Sequence, residues 1–191
     1  VSGLHTLMKF DFGQGIEVYV GEGRLKDFET LVNPPFTIGY KPRPDNVYTL
    51  DTKIRIRELS ESYENIPFKA AAIKQYHAYV DHGFRFELEG KTIAYTGDCG
   101  FSDSLKKLAD KTDLLITECA WKIVPKDNKW GHLNPMVAAT VAKDAGAKQL
   151  ILNHFDASLY TTLDDRKWAE GEAKKIFPNS IAAYDGMEFT L

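Results

Sequence analysis

Residues 83–98 constrain this chain more tightly than any other stretch. Gly83-Phe84-Arg85-Phe86-Glu87-Leu88 alternates, Glu89-Gly90 follows, and residues 91–96 alternate again, which is the pattern of a β-hairpin with a two-residue turn. Gly97 then breaks the second strand and Asp98 follows at once. An acid on a glycine-loosened turn at the end of a buried strand is poorly placed for stability and well placed for metal or proton chemistry. Upstream, His77 closes another apolar strand; downstream, His154 closes Leu150-Ile151-Leu152-Asn153-His154. Three metal-competent side chains on three strand tips are expected to meet at one site.

Before the hairpin the chain is less regular. Residues 1–12 read as a short helix or an irregular connection, and Ile16-Glu17-Val18-Tyr19-Val20 as a strand. Gly21-Glu22-Gly23 turns it into a helix over residues 24–32, with Leu25, Phe28, Leu31 and Val32 on one face. Such a turn can bind phosphate at the helix start, but two lone glycines are a weak signal, and packing is the preferred reading. Residues 33–46 carry Pro34, Pro35, Pro42 and Pro44, which excludes a central strand or a helix and predicts a loop. Residues 53–59 read as a strand with Arg55 and Arg57 outward, and residues 68–79 as another with His77 near its end.

After the hairpin, helices and strands alternate. Ser102-Asp103 caps a helix through Leu105, Leu108 and Ala109, and Leu114-Leu115-Ile116-Thr117 is a buried strand. Asn134 caps a helix with Pro135 at its first position; it runs through Val137 and Val141 and stops at Gly146. Residues 149–153 form a further buried strand. Residues 164–177 form an amphipathic helix with Trp168, Ala169, Ala173 and Ile176, and short strands around Asp185-Gly186 close the chain. Antiparallel pairs followed by alternation predict an α+β class with the helices outside.

With 191 residues, 43% of them hydrophobic, the chain suits a single domain over 1–191 that buries about 70% of its unfolded surface. A net charge of −3 gives no basic footprint for nucleic acid, although a metal could still hold a small polyanion. No apolar run is long enough for a membrane span. Two cysteines make no disulfide framework, which points to a reduced, cytoplasmic setting.

Only five histidines need weighing. His77 and His154 end strands, and His132 lies in Trp130-Gly131-His132-Leu133-Asn134, just before a capped helix. Glu118 follows its buried strand as Asp98 follows its own. Each alone reads as a structural residue; together, at neighbouring strand ends, imidazole and carboxylate are ligand types for zinc, manganese or iron. Cys99 and Cys119 each follow a candidate acid and read as buried small hydrophobes, with a ligand or redox role as the alternative. Tyr76, Tyr79 and Tyr95 read as core or pocket wall.

In order along the chain, these segments resemble a metallo-β-lactamase-fold hydrolase. The resemblance is carried by His77 with Gly83-Phe84-Arg85-Phe86-Glu87, by Gly90-Lys91-Thr92-Ile93-Ala94-Tyr95-Thr96-Gly97-Asp98 and by Leu115-Ile116-Thr117-Glu118. Gly131-His132-Leu133-Asn134-Pro135, Leu152-Asn153-His154 and Asp185-Gly186-Met187 continue it. The chain is most similar to the phosphodiesterase branch, which includes tRNase Z and the phosphoribosyl cyclic phosphodiesterases. The resemblance implies an αββα sandwich in which His77 binds one metal, His154 the other, and Asp98 bridges them. It implies His132 as the histidine that assists proton transfer and Glu118 as its acidic partner.

The family's main metal motif, H-x-H-x-D-H, is absent, and Val1-Ser2-Gly3-Leu4 looks like the segment that directly follows it. The resemblance therefore implies a chain that begins in mid-domain, N-terminally incomplete, with partial or no metal occupancy. Only 20 residues separate His77 from Asp98, filled by one hairpin, so the long tRNA-gripping arm of many tRNase Z enzymes has no room. Expected for the intact protein is two-metal hydrolysis of a small phosphodiester, cyclic or nucleotide-like, by a metal-bridging hydroxide; tRNA is disfavoured and a homodimer is left open. A thioester or lactone hydrolase on the same centre, and a non-catalytic metal-poor module for binding or assembly, are the alternatives.

Overall fold

A computed structural model gives the structure of the protein and describes residues 16–32, 41–42, 48–50, 54–59 and 68–191. The expectation for residues 1–12, and that for 33–46 apart from residues 41–42, fall outside the described residues. The chain divides into two compact units, residues 1–60 and 61–191, each taken here by itself.

In the first unit, β1 (Ile16–Val20) leads through Gly23, whose φ of +70° suits glycine, into α1 (Leu25–Val32). Phe28 on that helix is buried, whereas Leu31, expected on the same apolar face, is half exposed. β2 (Lys41–Pro42), β3 (Tyr48–Leu50) and β4 (Ile54–Glu58) complete a sheet of order β1-β4-β3-β2, with β1 parallel to β4. Pro42 thus lies in a strand where a loop was expected. That strand is an edge, the one place in a sheet where a missing N–H costs no ladder bond. Arg57, expected to point outward, pairs with Glu17 at 2.8 Å across the sheet.

The second unit is a six-stranded sheet of order β10-β9-β8-β7-β6-β5. β5 (Lys69–Gln75), β6 (Asp81–Leu88) and β7 (Lys91–Tyr95) are antiparallel. Glu89 and Gly90 join β6 to β7 with φ of +49° and +76°, the two positive values of a hairpin turn whose twist matches its strands. β7, β8 (Leu114–Glu118), β9 (Gln149–Asn153) and β10 (Ser180–Ala182) are parallel. They are joined by α2 (Asp103–Ala109), α3 (Pro135–Asp144) and α4 (Leu163–Lys174). Ser102 caps α2 and Asn134 caps α3, as the sequence implies, and Thr162 caps α4 through a reciprocal capping box with Asp165. The last strand lies earlier than expected, because Asp185 and Gly186 form a turn rather than a strand.

Pleating puts Ala94, Leu115 and Leu150, which are cross-strand neighbours, on one face with Leu152. There they pack with Leu105 and Leu108 of α2, Ala138, Val141 and Ala142 of α3, and Ala169 and Ala173 of α4. Burial of each leucine in this core contributes about 1.5–3 kcal/mol. Small residues on the helices let them lie close to the sheet. Trp168, expected on the apolar face of α4, is 41% exposed.

The strand directions decide where chemistry can gather. β5 runs antiparallel to β6, and β6 to β7, so β5 points the same way as β7, β8 and β9. The C-terminal ends of those four strands therefore share one end of the sheet.

Candidate active site

Each of those four strands delivers one expected residue to that end. Glu118 is the last residue of β8, and His77, Asp98 and His154 lie just beyond β5, β7 and β9. β5 is shorter than the strand expected over residues 68–79. The reason is that Tyr76 O accepts from Gly100 N at 2.7 Å and Ala78 N donates to Trp130 O at 3.1 Å. The backbone around His77 leaves the sheet to bond with the loops that carry Asp98 and His132.

Two glycines make this packing geometrically feasible. Gly97 has φ +62°, and a Cβ there would lie 2.4 Å from Asp81 Oδ1 and 2.8 Å from His82 O. Gly131 has φ +70°, and a Cβ there would meet Tyr76 O at 2.8 Å and His77 Cα at 3.1 Å. His154 itself has φ +48°, a left-handed conformation that costs a non-glycine residue roughly 1 kcal/mol and occurs where surrounding structure imposes it.

The side chains converge. His154 Nε2 lies 3.2 Å from Asp98 Oδ1, the His132 ring is 6.3 Å from the His154 ring, and the His77 ring is 5.0 Å from that of His132. His77 joins the cluster through His132. Glu118 underlies it with its side chain 1% exposed. Its Oε1 accepts from Cys99 N at 3.0 Å and from His132 Nδ1 at 2.6 Å; its Oε2 accepts from Ala120 N at 2.9 Å and Leu133 N at 3.2 Å. Four donors on two oxygens is the acceptor-only pattern of an ionised carboxylate. The hydrogen bond that His132 donates to Glu118 raises the His132 pKa above the usual imidazole value, against an opposing effect of burial.

Asn128 was not singled out from sequence. Its Nδ2 donates to His132 O at 2.8 Å and its Oδ1 accepts from His132 N at 3.2 Å, so it clasps the backbone that presents the imidazole. An asparagine in a polar turn carries no local mark of that role. Tyr76, Tyr79 and Tyr95 are not core residues: they are 51%, 70% and 37% exposed. Both cysteines are free and fully buried. Burial pushes the Cys119 thiol up to about 12 and the Cys99 thiol higher still, so both are unreactive small side chains.

His77 Nε2 is buried and has no hydrogen-bond partner, an orphaned polar atom that a ligand could satisfy. Because Nδ1 accepts from Tyr79 N at 3.3 Å, Nε2 carries the ring proton here, and binding an ion through it requires the tautomer to change at the cost of that bond. Asp98 and His154 touch one another at 3.2 Å, and the His132 ring lies between this pair and His77. Asp98 and His154 fit as part of a donor set, and His77 could serve only a separate position of a larger centre. Among the described residues, no three His, Cys, Asp or Glu side chains are gathered closely enough to hold an ion by themselves.

Residues 1–155 match the family described as the Beta-lactamase superfamily domain. The chain is 38% identical over 104 residues to Ribonuclease Z of Bacillus subtilis (strain 168), a match over 52% of this chain and 33% of that protein. It is 27% identical over 139 residues to the Probable metallo-hydrolase YhfI of the same organism, over 73% of this chain and 51% of that protein. It thus spans about a third to a half of the length of these curated relatives. Among solved structures, the metallo-beta-lactamase fold protein YhfI superposes with a TM-score of 0.74 at 22% identity, covering 96% of this chain and 68% of that one. Human tRNase Z, short form, superposes with a TM-score of 0.58 at 26% identity, covering 92% and 68%. Zn2+-bound PqqB from Methylobacterium extorquens gives 0.61 at 17% identity, covering 100% and 67%. The metallo-β-lactamase fold expected from the order of the motifs is the fold of this chain.

Proposed function

The chain belongs to the Beta-lactamase superfamily, and from that premise we propose that the protein is a metal-dependent hydrolase of a small phosphodiester. The observation that supports this most is His132, hydrogen-bonded to buried Glu118 at 2.6 Å and set between the rings of His77 and His154. His77, Asp98 and His154 would each contribute a ligand to a two-ion centre, zinc before manganese or iron, whose remaining ligands the described residues do not supply. When bound, the metal supplies Lewis acidity and a water of lowered pKa.

The chain's own residues supply the proton chemistry. Glu118 accepts the Nδ1 proton of His132, which fixes the ring and leaves Nε2 to face the reacting groups. From there the imidazolium gives its Nε2 proton to the leaving oxygen and becomes a neutral imidazole, still donating its Nδ1–H to Glu118. A general acid is needed when an alkoxide leaves phosphorus. A small substrate is favoured over tRNA because the interval between His77 and Asp98 holds only the β6–β7 hairpin. No helix among the described residues is long and apolar enough to cross a membrane, and two free buried thiols suit the cytoplasm.

In the full-length protein loaded with zinc, Asp98→Ala is expected to abolish turnover of bis-p-nitrophenyl phosphate; retained turnover rejects the assignment. A second reading, a metal-poor binding or assembly module, is favoured by the incomplete donor set among the described residues. Metal analysis of the purified protein separates the two: close to a pair of ions per chain supports the hydrolase, and none supports the module.

A further inference from the structure

Beside His77 lies a feature that neither the core nor the proton chemistry uses. Tyr79 and Trp130 are 70% and 53% exposed, yet their rings pair at 5.9 Å between centroids, and Tyr79 lies 6.3 Å from the His77 ring. Residues this exposed contribute little to packing, so burial does not account for two large aromatic rings side by side. Their placement is fixed by the same contacts that build the site. Ala78 N, between His77 and Tyr79, donates to Trp130 O, and Gly131 lets the two backbones meet without a Cβ. Each aromatic residue is therefore two positions from a site histidine, Tyr79 after His77 and Trp130 before His132. The interplanar angle of 53° makes the pair a corner rather than a closed slot. A planar ring can lie on the face of one and meet the edge of the other.

We infer that Tyr79 and Trp130 form a stacking subsite for a planar aromatic group of the substrate, a nucleobase joined through its sugar to the phosphodiester. This rests on the phosphodiesterase reading for its substrate and deepens it by naming the residues that would recognise a nucleotide-like one. Stacking, which every base can satisfy, is the contact that these two rings supply to the base.

The test compares binding of adenosine 5′-monophosphate with that of ribose 5-phosphate by calorimetry, alongside the indole N–H resonance of Trp130 assigned with Trp130→Phe. One stacked base is expected to give adenosine 5′-monophosphate about tenfold tighter binding, with a ring-current shift at Trp130. Tyr79→Ala and Trp130→Ala are each expected to remove most of that preference, and Trp130→Phe to keep most of it. Both side chains are exposed, and unchanged thermal melting of the variants checks that the fold is intact. Equal affinity for the two ligands, no binding of either, or a preference that survives both alanine substitutions overturns the inference. The reaction is judged separately: a full-length protein that stacks the base but hydrolyses no phosphodiester keeps the subsite and loses the hydrolase. One that hydrolyses phosphodiesters without base preference does the reverse.

Discussion

Glu118 Oε1 lies 2.6 Å from His132 Nδ1, and the same carboxylate accepts three backbone N–H groups from Cys99, Ala120 and Leu133. One buried side chain thus ties the loop after β7, the loop after β8 and the segment that presents His132. Glu118→Gln keeps the size but turns one acceptor oxygen into an N–H donor facing backbone donors. The expected result is a loss of about 2–4 kcal/mol, since a buried donor is left unpaired and others lose their acceptor. A lower urea midpoint at unchanged slope measures it. Under the proposed phosphodiester hydrolysis kcat should fall as well, because His132 loses the group that orients it.

Gly131→Ala tests whether the His77 and His132 loops depend on a missing Cβ. The added carbon would sit 2.8 Å from Tyr76 O and 3.1 Å from His77 Cα, both backbone atoms that cannot swing aside, at a φ of +70°. A destabilisation of roughly 1–3 kcal/mol is expected. Gly23→Ala is the comparison, with a matching φ of +70° and nothing within 4 Å of the added carbon. It carries the backbone strain alone, so the difference between the two melting temperatures isolates the crowding at the site.

The contrast between what was legible in the sequence and what was not follows the range of the forces. The β6–β7 hairpin, the caps at Ser102 and Asn134, and the strand ends at Asp98, Glu118 and His154 are written locally in alternation, glycine and polar punctuation. The early end of β5 is not, because Tyr76 and Ala78 are drawn off by Gly100 and Trp130, far away in sequence. Asn128, as a clasp on His132, and the exposure of Tyr79 and Trp168 are likewise set by partners that no local window contains. β2 was missed because proline counts against strands everywhere except at an edge, and edge position is a property of the finished sheet.

The core supplies a simpler test of the sheet-to-helix packing. Leu115 is fully buried in β8, between Ala94 and Leu150 on the neighbouring strands and beneath the helices. Leu115→Ala removes most of a side chain from a site where the surrounding strands cannot collapse, so a loss of 2–5 kcal/mol is expected in denaturant unfolding. A value under about 1 kcal/mol would mean that this face is loosely packed.

Asp165 links helix capping to acid stability. The Lys122 ammonium at 2.6 Å, then the Thr162 hydroxyl and backbone N–H, hold its carboxyl well below the usual carboxylate range. Its folded pKa lies below the unfolded value, so the unfolded chain takes up the proton first as the pH falls. The stabilisation is complete above the unfolded carboxylate pKa of ~3.9 and is lost as the pH drops from there through the folded value. Asp165→Asn cannot titrate and cannot pair with Lys122 as an ion. The gap in urea midpoint between wild type and this variant should stay constant from neutral pH down to about 5, and narrow progressively below about 4. A gap that is flat across the whole acid range would show that Lys122 and Thr162 do not distinguish the charged carboxylate from its neutral replacement.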